Sequence, residues 1–385
     1  MSSSGQLRIS RTKLQRFFFL LLFCLLTISV VSSAEESRGN PAAHVLSGEF
    51  ASEHWEFTAR FDSGHLLFVE FILTNIGLGD RNAAVFGHIV PPDGKPRRFS
   101  NGRTEKYWTL SPDRLRIEVG TSLLDVHAPT YKIQVGKRSV RLELQITPAA
   151  RPLWANTLAP PGYALDLLAL AAPIEGTLWL KGMTEPLQVR GAVTVTHSWT
   201  NAAGSSLVLR RIEVFSLQEK SPLYGIDVTA PDGTRKRWIV VKRLDQTEYM
   251  SEHFDLSFNG ELRGQRDRRY AIPNVIRLKN VELEEQIELQ SRILQVDPFI
   301  DLPQPFRYLV SLALDLRPQR IWVKSQLEMT WPTSSATEPT QKHDDGITAS
   351  ATESTQKHDN GITAVTFLNP LPSTMVIAHR LTGQR

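Results

Sequence analysis

The sequence predicts an all-β fold built from antiparallel strands, and three observations lead to this prediction. Apolar and polar residues alternate strictly in several stretches, of which residues 139–147 are the clearest, and such alternation is typical of strands with one face in water. Turn dipeptides recur at Asp93-Gly94, Asn101-Gly102, Asp232-Gly233 and Asn259-Gly260. No long stretch after residue 34 has a helical period. Many short strands with frequent turns indicate barrels or sandwiches.

Residues 1–34 are predicted to be a secretory signal peptide and not part of the fold. A basic segment precedes an unbroken apolar and small run over residues 17–31, and Ser32-Ser33-Ala34 provide a cleavage site before Glu35. The run is short for a membrane span, and an uncleaved anchor is the alternative. We therefore expect an exported protein, periplasmic or extracellular.

The mature chain excludes several classes of function. The only cysteine is Cys24, inside the signal, so the mature chain has no disulfide, no thiolate nucleophile and no cysteine metal site. The signal also contains four basic and no acidic residues, so its removal takes the formal net charge from +4 to zero. Nucleic-acid binding is therefore not expected. No obligate protein partner can be identified.

The chain divides into four predicted parts after the signal. Residues 35–200 and 201–332 are predicted to be an N-terminal and a C-terminal β domain. Residues 333–364 contain two copies of a polar 15-residue repeat and are predicted to be a looped or disordered insertion. Residues 365–385 are predicted to be a final strand and tail.

A faint internal duplication supports two similar β domains. Residues 91–99 parallel residues 230–238, which lie 139 positions later. In both places an apolar strand leads into a Pro-Asp-Gly turn and then into a basic strand that ends in an aromatic residue.

The stretch from Ile174 to Thr200 is predicted to be two strands joined by a Gly-Pro turn, and it ends in His197-Ser198-Trp199. A histidine, a hydroxyl and a tryptophan at a strand end would form a polar corner in an apolar pocket. The alternative is a buried histidine that donates to a backbone carbonyl beside a core tryptophan.

Three segments carry a resemblance to a known family. They are residues 53–57 with 64–74, residues 191–199, and residues 322–331. In this β context the chain resembles the tandem lipocalin-like proteins related to carotenoid 1,2-hydratase and AttH. It departs from them in lacking a glycine after Trp199 and the glycines of the closing strand. The turn Gly182-x-Thr184-x-Pro186 also resembles that of the isoprenoid-binding YceI-like proteins.

The resemblance implies two lipocalin-type barrels in tandem and a hydrophobic small-molecule ligand, since an eight-stranded barrel encloses one such molecule. We expect the ligand to lie in a barrel or at the junction of the barrels. The tryptophans expected to line its site are Trp55, Trp179, Trp199 and Trp238. They suit an ordinary β core equally well.

The resemblance also implies candidate catalytic residues, His197, Trp199, Tyr224 and Asp227, if the protein is an enzyme. Asp227 would protonate an alkene, Trp199 would face the carbocation and His197 would orient the acid or a water. Tyr224 and Asp227 have opposite strand parity, so both point inward only if a bulge lies near Gly225. The alternatives are a packing role for Tyr224 and, for Asp227, an ion pair with Arg210, Arg211 or Arg237.

Other chemistries have no sequence support. There is no nucleophile-elbow, phosphate-loop, zinc-protease or EF-hand motif. The histidines are scattered without metal-ligand spacing, and one hydrogen bond each would account for His54 and His88. We expect no metal and no cofactor. Basic clusters at residues 97–98, 235–237 and 266–269 suit a solvated rim, or contact with a membrane surface.

The leading hypothesis is an exported lipocalin-like protein that binds a lipid- or isoprenoid-like molecule. The alternative is a hydratase or cyclase of the carotenoid 1,2-hydratase type, which requires His197, Trp199 and Asp227 to converge on one cavity. A third hypothesis is a partner-binding protein with filled barrels.

Overall fold

The computed structural model describes residues 42–44, 46–75, 81–111, 114–127, 130–147, 154–155, 163–201, 210–217, 221–230, 232–243, 248–260, 273–280, 283–296, 319–332 and 353–368. The predicted signal peptide and the first copy of the repeat lie outside these residues. No helix in the described part is long and apolar enough to span a membrane.

The predicted all-β class is confirmed, because the described chain folds into two curled antiparallel sheets that form tandem barrels, one nearly closed and one half-open. The first sheet has twelve strands in the order β4-β3-β2-β1-β12-β11-β9-β8-β7-β6-β5, with β10 beside β11. Its strands are β1 (Ser52–Phe61), β2 (Leu66–Thr74), β3 (Asn82–Val90), β4 (Arg97–Arg103), β5 (Trp108–Leu110), β6 (Arg116–Val119), β7 (Ser122–His127), β8 (Thr130–Gly136), β9 (Val140–Ile146), β10 (Trp154–Ala155), β11 (Tyr163–Leu180) and β12 (Leu187–Thr200). A short 3₁₀ turn, Glu105–Tyr107, precedes β5. The sheet curls far enough for Asn101 on β4 to donate to the Val119 carbonyl on β6.

The second sheet has nine strands in the order β16-β15-β14-β13-β21-β20-β19-β18-β17. They are β13 (Arg210–Ser216), β14 (Leu223–Thr229), β15 (Arg235–Lys242), β16 (Glu248–Ser251), β17 (Asp255–Asn259), β18 (Val275–Lys279), β19 (Glu284–Val296), β20 (Gln319–Pro332) and β21 (Glu353–Leu368).

The two sheets share one plan. In each, the first strand of a four-stranded meander pairs with the last strand of the same half, so β1 lies between β2 and β12 and β13 lies between β14 and β21. The faint sequence parallel does not follow this plan. It relates the β3–β4 hairpin to the β14–β15 hairpin, and these occupy the third and second turns of their meanders.

Apolar side chains fill the interior of the first sheet, including Trp55, Phe57, Phe61 and Phe71, all buried. Gly191 on β12 is required by the close approach of β1, because a Cβ there would stand 2.1 Å from the Arg60 carbonyl oxygen.

A separate apolar layer contains residues of both sheets, and we call it the inter-sheet layer. Its fully or nearly buried aromatic members are Phe68 from the first sheet and Phe215, Tyr224, Trp238 and Trp322 from the second. This layer joins the sheets and places polar residues of β1, β13 and β20 close together.

The C-terminal repeat differs from the prediction. Its second copy was predicted to belong to an insertion ending at residue 364, but β21 begins at Glu353 and pairs with β20 from Pro332 to Gln319. Pairing uses backbone groups, and the long edge of β20 offers them along its whole length, so polar composition does not exclude a strand there. The other predicted domain boundaries stay predictions.

Candidate functional site

The first candidate site is at one end of the first sheet, and we call its residues, His44, Glu53 and His197, the mouth cluster. The register pairs Glu53 with Trp199, and Trp55 with His197. Because side chains alternate along a strand, these residues of β1 and β12 face the barrel interior. His44 reaches them from the segment before β1.

Glu53 is the centre of the mouth cluster and is almost fully buried. Its carboxylate accepts hydrogen bonds from the His44 backbone N–H, at 3.0 and 3.1 Å. It also accepts from His44 Nδ1 at 2.9 Å and from His197 Nε2 at 2.8 Å. The predicted alternative for His197, a bond to a backbone carbonyl, is therefore wrong for Nε2, because its partner is a carboxylate.

Electrostatics fix the charge states of this pair. Burial alone would raise the pKa of Glu53, but the hydrogen bonds from His197 and His44 outweigh burial and lower it. Burial lowers the pKa of His197, although its bond to Glu53 opposes this effect. His197 is therefore neutral with its proton on Nε2, and Nδ1 is a buried acceptor without a described partner.

Two tryptophan rings hold the imidazoles in place. The Trp199 ring stacks on His44 with centroids 3.8 Å apart, and the Trp55 ring stacks on His197 at 4.7 Å. The polar corner predicted at His197 and Trp199 therefore exists, but aromatic rings pack it on both sides. It is a buried hydrogen-bond cluster in which, among the described residues, His197 Nδ1 is left without a partner.

The mouth cluster also contains the types of ligand that transition metals use. Ligand atoms of His44, Glu53 and His197 lie within 4.8 Å of one another. Two imidazoles and a carboxylate suit zinc or iron. In the structure these atoms bond to each other, and the expectation that no metal is bound stays a prediction.

The second candidate site is in the inter-sheet layer, where Glu56 on β1 pairs with Arg320 on β20. Arg320 is buried, and its Nε donates to Thr366 Oγ1 at 2.9 Å. Its guanidinium carbon lies 3.8 Å from the centroid of the Phe68 ring. Ion pair, hydrogen bond and cation–π contact together fix the guanidinium between the two sheets.

A second ion pair, Arg211 with Glu213 on β13, lies in the same layer. The Tyr224 hydroxyl donates to Glu213 Oε1 at 2.9 Å. Arg211 also lies 5.2 Å over the Tyr163 ring of β11 in the first sheet. We call Glu56, Arg211, Glu213, Tyr224 and Arg320 the inter-sheet cluster.

One acid of the inter-sheet cluster titrates near neutral pH. Burial raises the pKa of Glu56 to about 7, an effect that Arg320 opposes and that nearby Glu213 and Glu70 reinforce. Burial also raises the pKa of Tyr224 well above its ordinary value. Glu56 therefore has the property of a general acid or base that works at neutral pH.

Three N–H donors in this layer have no acceptor among the described residues. They are Arg211 Nε, Arg320 Nη1 and Trp322 Nε1. Buried donors are nearly always satisfied, so each of these N–H groups could donate to an oxygen-bearing group.

His88 contacts two aromatic members of the same layer. Its ring is 5.3 Å from Phe68 and 5.9 Å from Trp322, and its Nε2 has no described partner. The single hydrogen bond predicted for His88 is therefore not found at that atom. Burial, with Arg320 and Arg98 nearby, lowers the pKa of His88 to about 3, so its ring is neutral.

The predicted catalytic residues do not converge. His197 and Trp199 lie in the mouth cluster, and Tyr224 lies in the inter-sheet cluster. Asp227 accepts hydrogen bonds from Arg210 at 2.8 Å and from Arg235 at 2.8 and 2.7 Å.

The predicted bulge near Gly225 is absent, because the pairing of β14 with both neighbours runs without a register shift. Tyr224 and Asp227 consequently face opposite sides of the sheet. The alternative interpretation of Asp227 as an arginine partner is the one that the structure supports, with Arg210 as predicted and Arg235 as a second partner.

The four tryptophans expected to line a ligand occupy three different places. Trp55 and Trp199 belong to the mouth cluster, and Trp238 packs in the inter-sheet layer, 5.0 Å from Tyr224. Trp179 is half-buried, donates to the Met183 carbonyl at 2.9 Å and lies under Arg141. These four residues therefore do not line a single cavity.

Sequence reasoning missed Glu56, Glu213 and Arg320 as site residues. Glu56 and Glu213 each stand between two apolar residues, a pattern that places them on the wet face of a strand and not in a site. Arg320 had no signal either, because it stands in a mixed stretch.

Comparison with known proteins supports the fold. The sequence matches no protein-family profile and no curated protein. Among solved structures, an AttH protein from Nitrosomonas europaea is similar with a TM-score of 0.58 and 12% identity, over 88% of this chain and 97% of that one. The protein CghA is similar with a TM-score of 0.55 and 12% identity, over 87% and 93%. Kievitone hydratase from Nectria haematococca gives a TM-score of 0.49 and 9% identity, over 87% and 95%. The resemblance predicted from the sequence is thus confirmed at the level of the fold: this chain has the tandem lipocalin-like architecture.

Proposed function

We propose that the protein binds a hydrophobic, lipid- or isoprenoid-like small molecule in the inter-sheet layer, through an oxygen-bearing end that accepts hydrogen bonds from arginine and tryptophan. One observation carries this proposal: Arg211 Nε, Arg320 Nη1 and Trp322 Nε1 are buried in an aromatic layer without a described acceptor. Each unsatisfied buried donor costs about 1–3 kcal/mol, which a ligand carbonyl or carboxylate would recover.

The packing of the first barrel supports this location. Its interior is filled by large side chains such as Trp55, Phe57 and Phe71, whereas the inter-sheet layer combines aromatic rings with two arginine–glutamate pairs and N–H donors without a described acceptor. An apolar site with a few fixed polar groups is what small-molecule recognition requires. CghA, which shares the fold, has also been solved with Sch210972.

Export is part of the same proposal. The predicted signal peptide would deliver the protein to the periplasm or the medium, where a carrier or sequestering role suits a water-insoluble ligand. Cell fractionation checks this: the protein should appear without residues 1–34 outside the cytoplasm.

The test is binding of retinoic acid, an isoprenoid carboxylate, followed by quenching of tryptophan fluorescence. We expect saturable binding that is tighter than binding of retinol, which lacks the carboxylate. Trp322→Phe removes one donor and keeps an aromatic ring, and should weaken binding about 5- to 10-fold, the value of one hydrogen bond. Trp179→Phe is the matched control and should bind as the parent does.

A second measurement does not depend on the chosen probe. Organic extraction of protein purified from its native envelope, followed by mass spectrometry, should recover a stoichiometric apolar molecule with an oxygen-bearing end. An empty extract together with no uptake of retinoic acid would refute the binding proposal and favour a partner-binding protein. Equal affinity of the Trp322→Phe and Trp179→Phe variants would place the ligand elsewhere.

The second candidate function is a hydratase or cyclase, and the raised pKa of Glu56 favours it. Protonated Glu56 would transfer its proton to an alkene carbon of the ligand, and the aromatic rings of the layer would face the carbocation. Water would then add to the cation and return a proton to the Glu56 carboxylate, so that the net reaction is hydration. Incubation of the extracted molecule with protein in H₂¹⁸O should give an ¹⁸O-labelled product, and Glu56→Gln should abolish the product but retain binding.

A further inference from the structure

Three residues of the outer face of the first sheet form a separate group. Ser52 and His54 lie two positions apart on β1, so they share a face with Glu56. Glu70 on β2 is the register partner of Glu56 and therefore the diagonal neighbour of His54 on that face. Strand geometry thus places a hydroxyl, an imidazole and a carboxylate in a row.

The distances join these groups into one hydrogen-bonded chain. Ser52 Oγ lies 2.5 Å from His54 Nε2, and His54 Nδ1 lies 2.7 Å from Glu70 Oε1. An ionised carboxylate only accepts, so Nδ1 carries the proton and donates to Glu70. The Nε2 lone pair is then left to accept the proton of the Ser52 hydroxyl. This is the order of groups that activates a serine nucleophile.

We propose that Ser52 is a nucleophile for carboxylic esters, with His54 as its general base and Glu70 as the residue that positions the imidazole. Ser52 also lines an open pocket at the end of the strands, together with Leu46, Leu73, Thr74, Trp108 and Leu110. The side chain of His54 is 31% exposed. The ester carbonyl would therefore approach the hydroxyl at this end of the strands, from the side on which the imidazole is exposed.

The reaction balances with water as the only co-reactant. Ser52 Oγ bonds to the ester carbonyl carbon while its proton passes to His54 Nε2. The ester C–O bond then breaks, and His54 returns the proton to the leaving alcohol. Water attacks the acyl–Ser52 ester with His54 again as base, and the products are the free acid and the restored serine.

The experiment is covalent labelling with a fluorophosphonate, which forms an Oγ–P bond and releases fluoride. We expect one label per chain, mapped to the Ser52 peptide by mass spectrometry, and a burst of p-nitrophenolate from p-nitrophenyl butyrate. Ser52→Ala should abolish both, and His54→Gln should slow labelling by about 100-fold or more. The positioning role of Glu70 has its own signature: Glu70→Gln should slow labelling and move its pH midpoint lower, because the imidazolium loses an anionic partner, and Glu70→Asp should restore part of the rate.

The chain offers a matched control. Ser63 Oγ lies 3.0 Å from His65 Nδ1 at the same two-residue spacing, but no described carboxylate bonds to the other nitrogen of that ring. Ser63→Ala should leave labelling unchanged. Circular dichroism establishes that each variant is folded. Absence of labelling in the folded parent, a label on another serine, or equal rates in the parent and His54→Gln would each overturn the proposal.

Discussion

Replacing Glu53 with glutamine tests whether the mouth cluster stabilises the first barrel through its charge. Glu53 accepts from three N–H groups, the His44 backbone, His44 Nδ1 and His197 Nε2. A hydrogen bond to a charged acceptor is worth about 1 kcal/mol more than one to a neutral acceptor, so three such bonds predict a loss of about 3 kcal/mol at pH 7. The assay is urea unfolding followed by tryptophan fluorescence.

The pH dependence of this loss has a definite sign. The pKa of Glu53 is lowered in the folded state, below its ordinary value of 4.5. The stabilisation is therefore complete above pH 4.5 and is lost as the pH falls through the folded pKa. We expect the gap between the parent and Glu53→Gln to be widest at neutral pH and to shrink in acid.

The control is Glu118→Gln. The Glu118 carboxylate is 44% exposed beside Arg116, so this substitution should change the free energy of unfolding by less than about 1 kcal/mol. A Glu53→Gln loss no larger than that of the control, or a gap that widens in acid, would refute the reasoning.

Three further predictions concern the second sheet and the inter-sheet layer. Glu56 has a pKa raised to about 7 from 4.5, so its ionisation destabilises the fold. As the pH rises from 4.5 to 8, the free energy of unfolding of the parent should fall by up to about 3 kcal/mol relative to that of Glu56→Gln. Unfolding experiments at each pH measure this difference. Arg320→Met should lower stability by about 3 kcal/mol, but the double variant Arg320→Met/Glu56→Leu should recover most of that loss, because apolar replacement of both partners removes the buried charges. Asp227→Asn should lower stability by about 2 kcal/mol by weakening its bonds to Arg210 and Arg235, and it should leave retinoic acid binding unchanged in the fluorescence assay.

Strand alternation predicted the fold well wherever the strands are regular. In β9 the four apolar residues from Val140 to Ile146 are buried and the polar residues between them are exposed, as predicted. In β19 the same alternation fails near its end. Register shifts follow Leu289 and Arg292. Ile293, at the second shift, is consequently only half-buried, and Leu294 is buried in the inter-sheet layer and not in the barrel interior. A bulge changes whether the odd-numbered or the even-numbered residues of a strand face the core, and the alternation of the sequence does not show where a bulge lies.

The candidate sites could not be predicted in the same way, because their partners are far apart in the chain. His197 and Glu53 are 144 residues apart, and Arg320 and Glu56 are 264 apart. Only the strand order, with β1 next to β12 and β20 packed across the layer, brings them together. The sequence did indicate His197, Trp199 and Tyr224 as buried polar or aromatic residues. It assigned them to one site because the resemblance, and not a measured contact, connected them.

The inter-sheet cluster is more than the fold requires. Two sheets can join through an apolar layer alone, and buried ion pairs are often neutral or unfavourable for stability compared with apolar side chains of similar volume. This layer nevertheless contains two arginine–glutamate pairs, a buried tyrosine hydroxyl and three N–H donors without a described acceptor. The interior of the first barrel differs from this layer, because apolar side chains fill it and its polar groups lie mainly in the mouth cluster. If the double variant Arg320→Met/Glu56→Leu is stable but no longer binds an isoprenoid carboxylate, the charges between the sheets serve recognition and not folding.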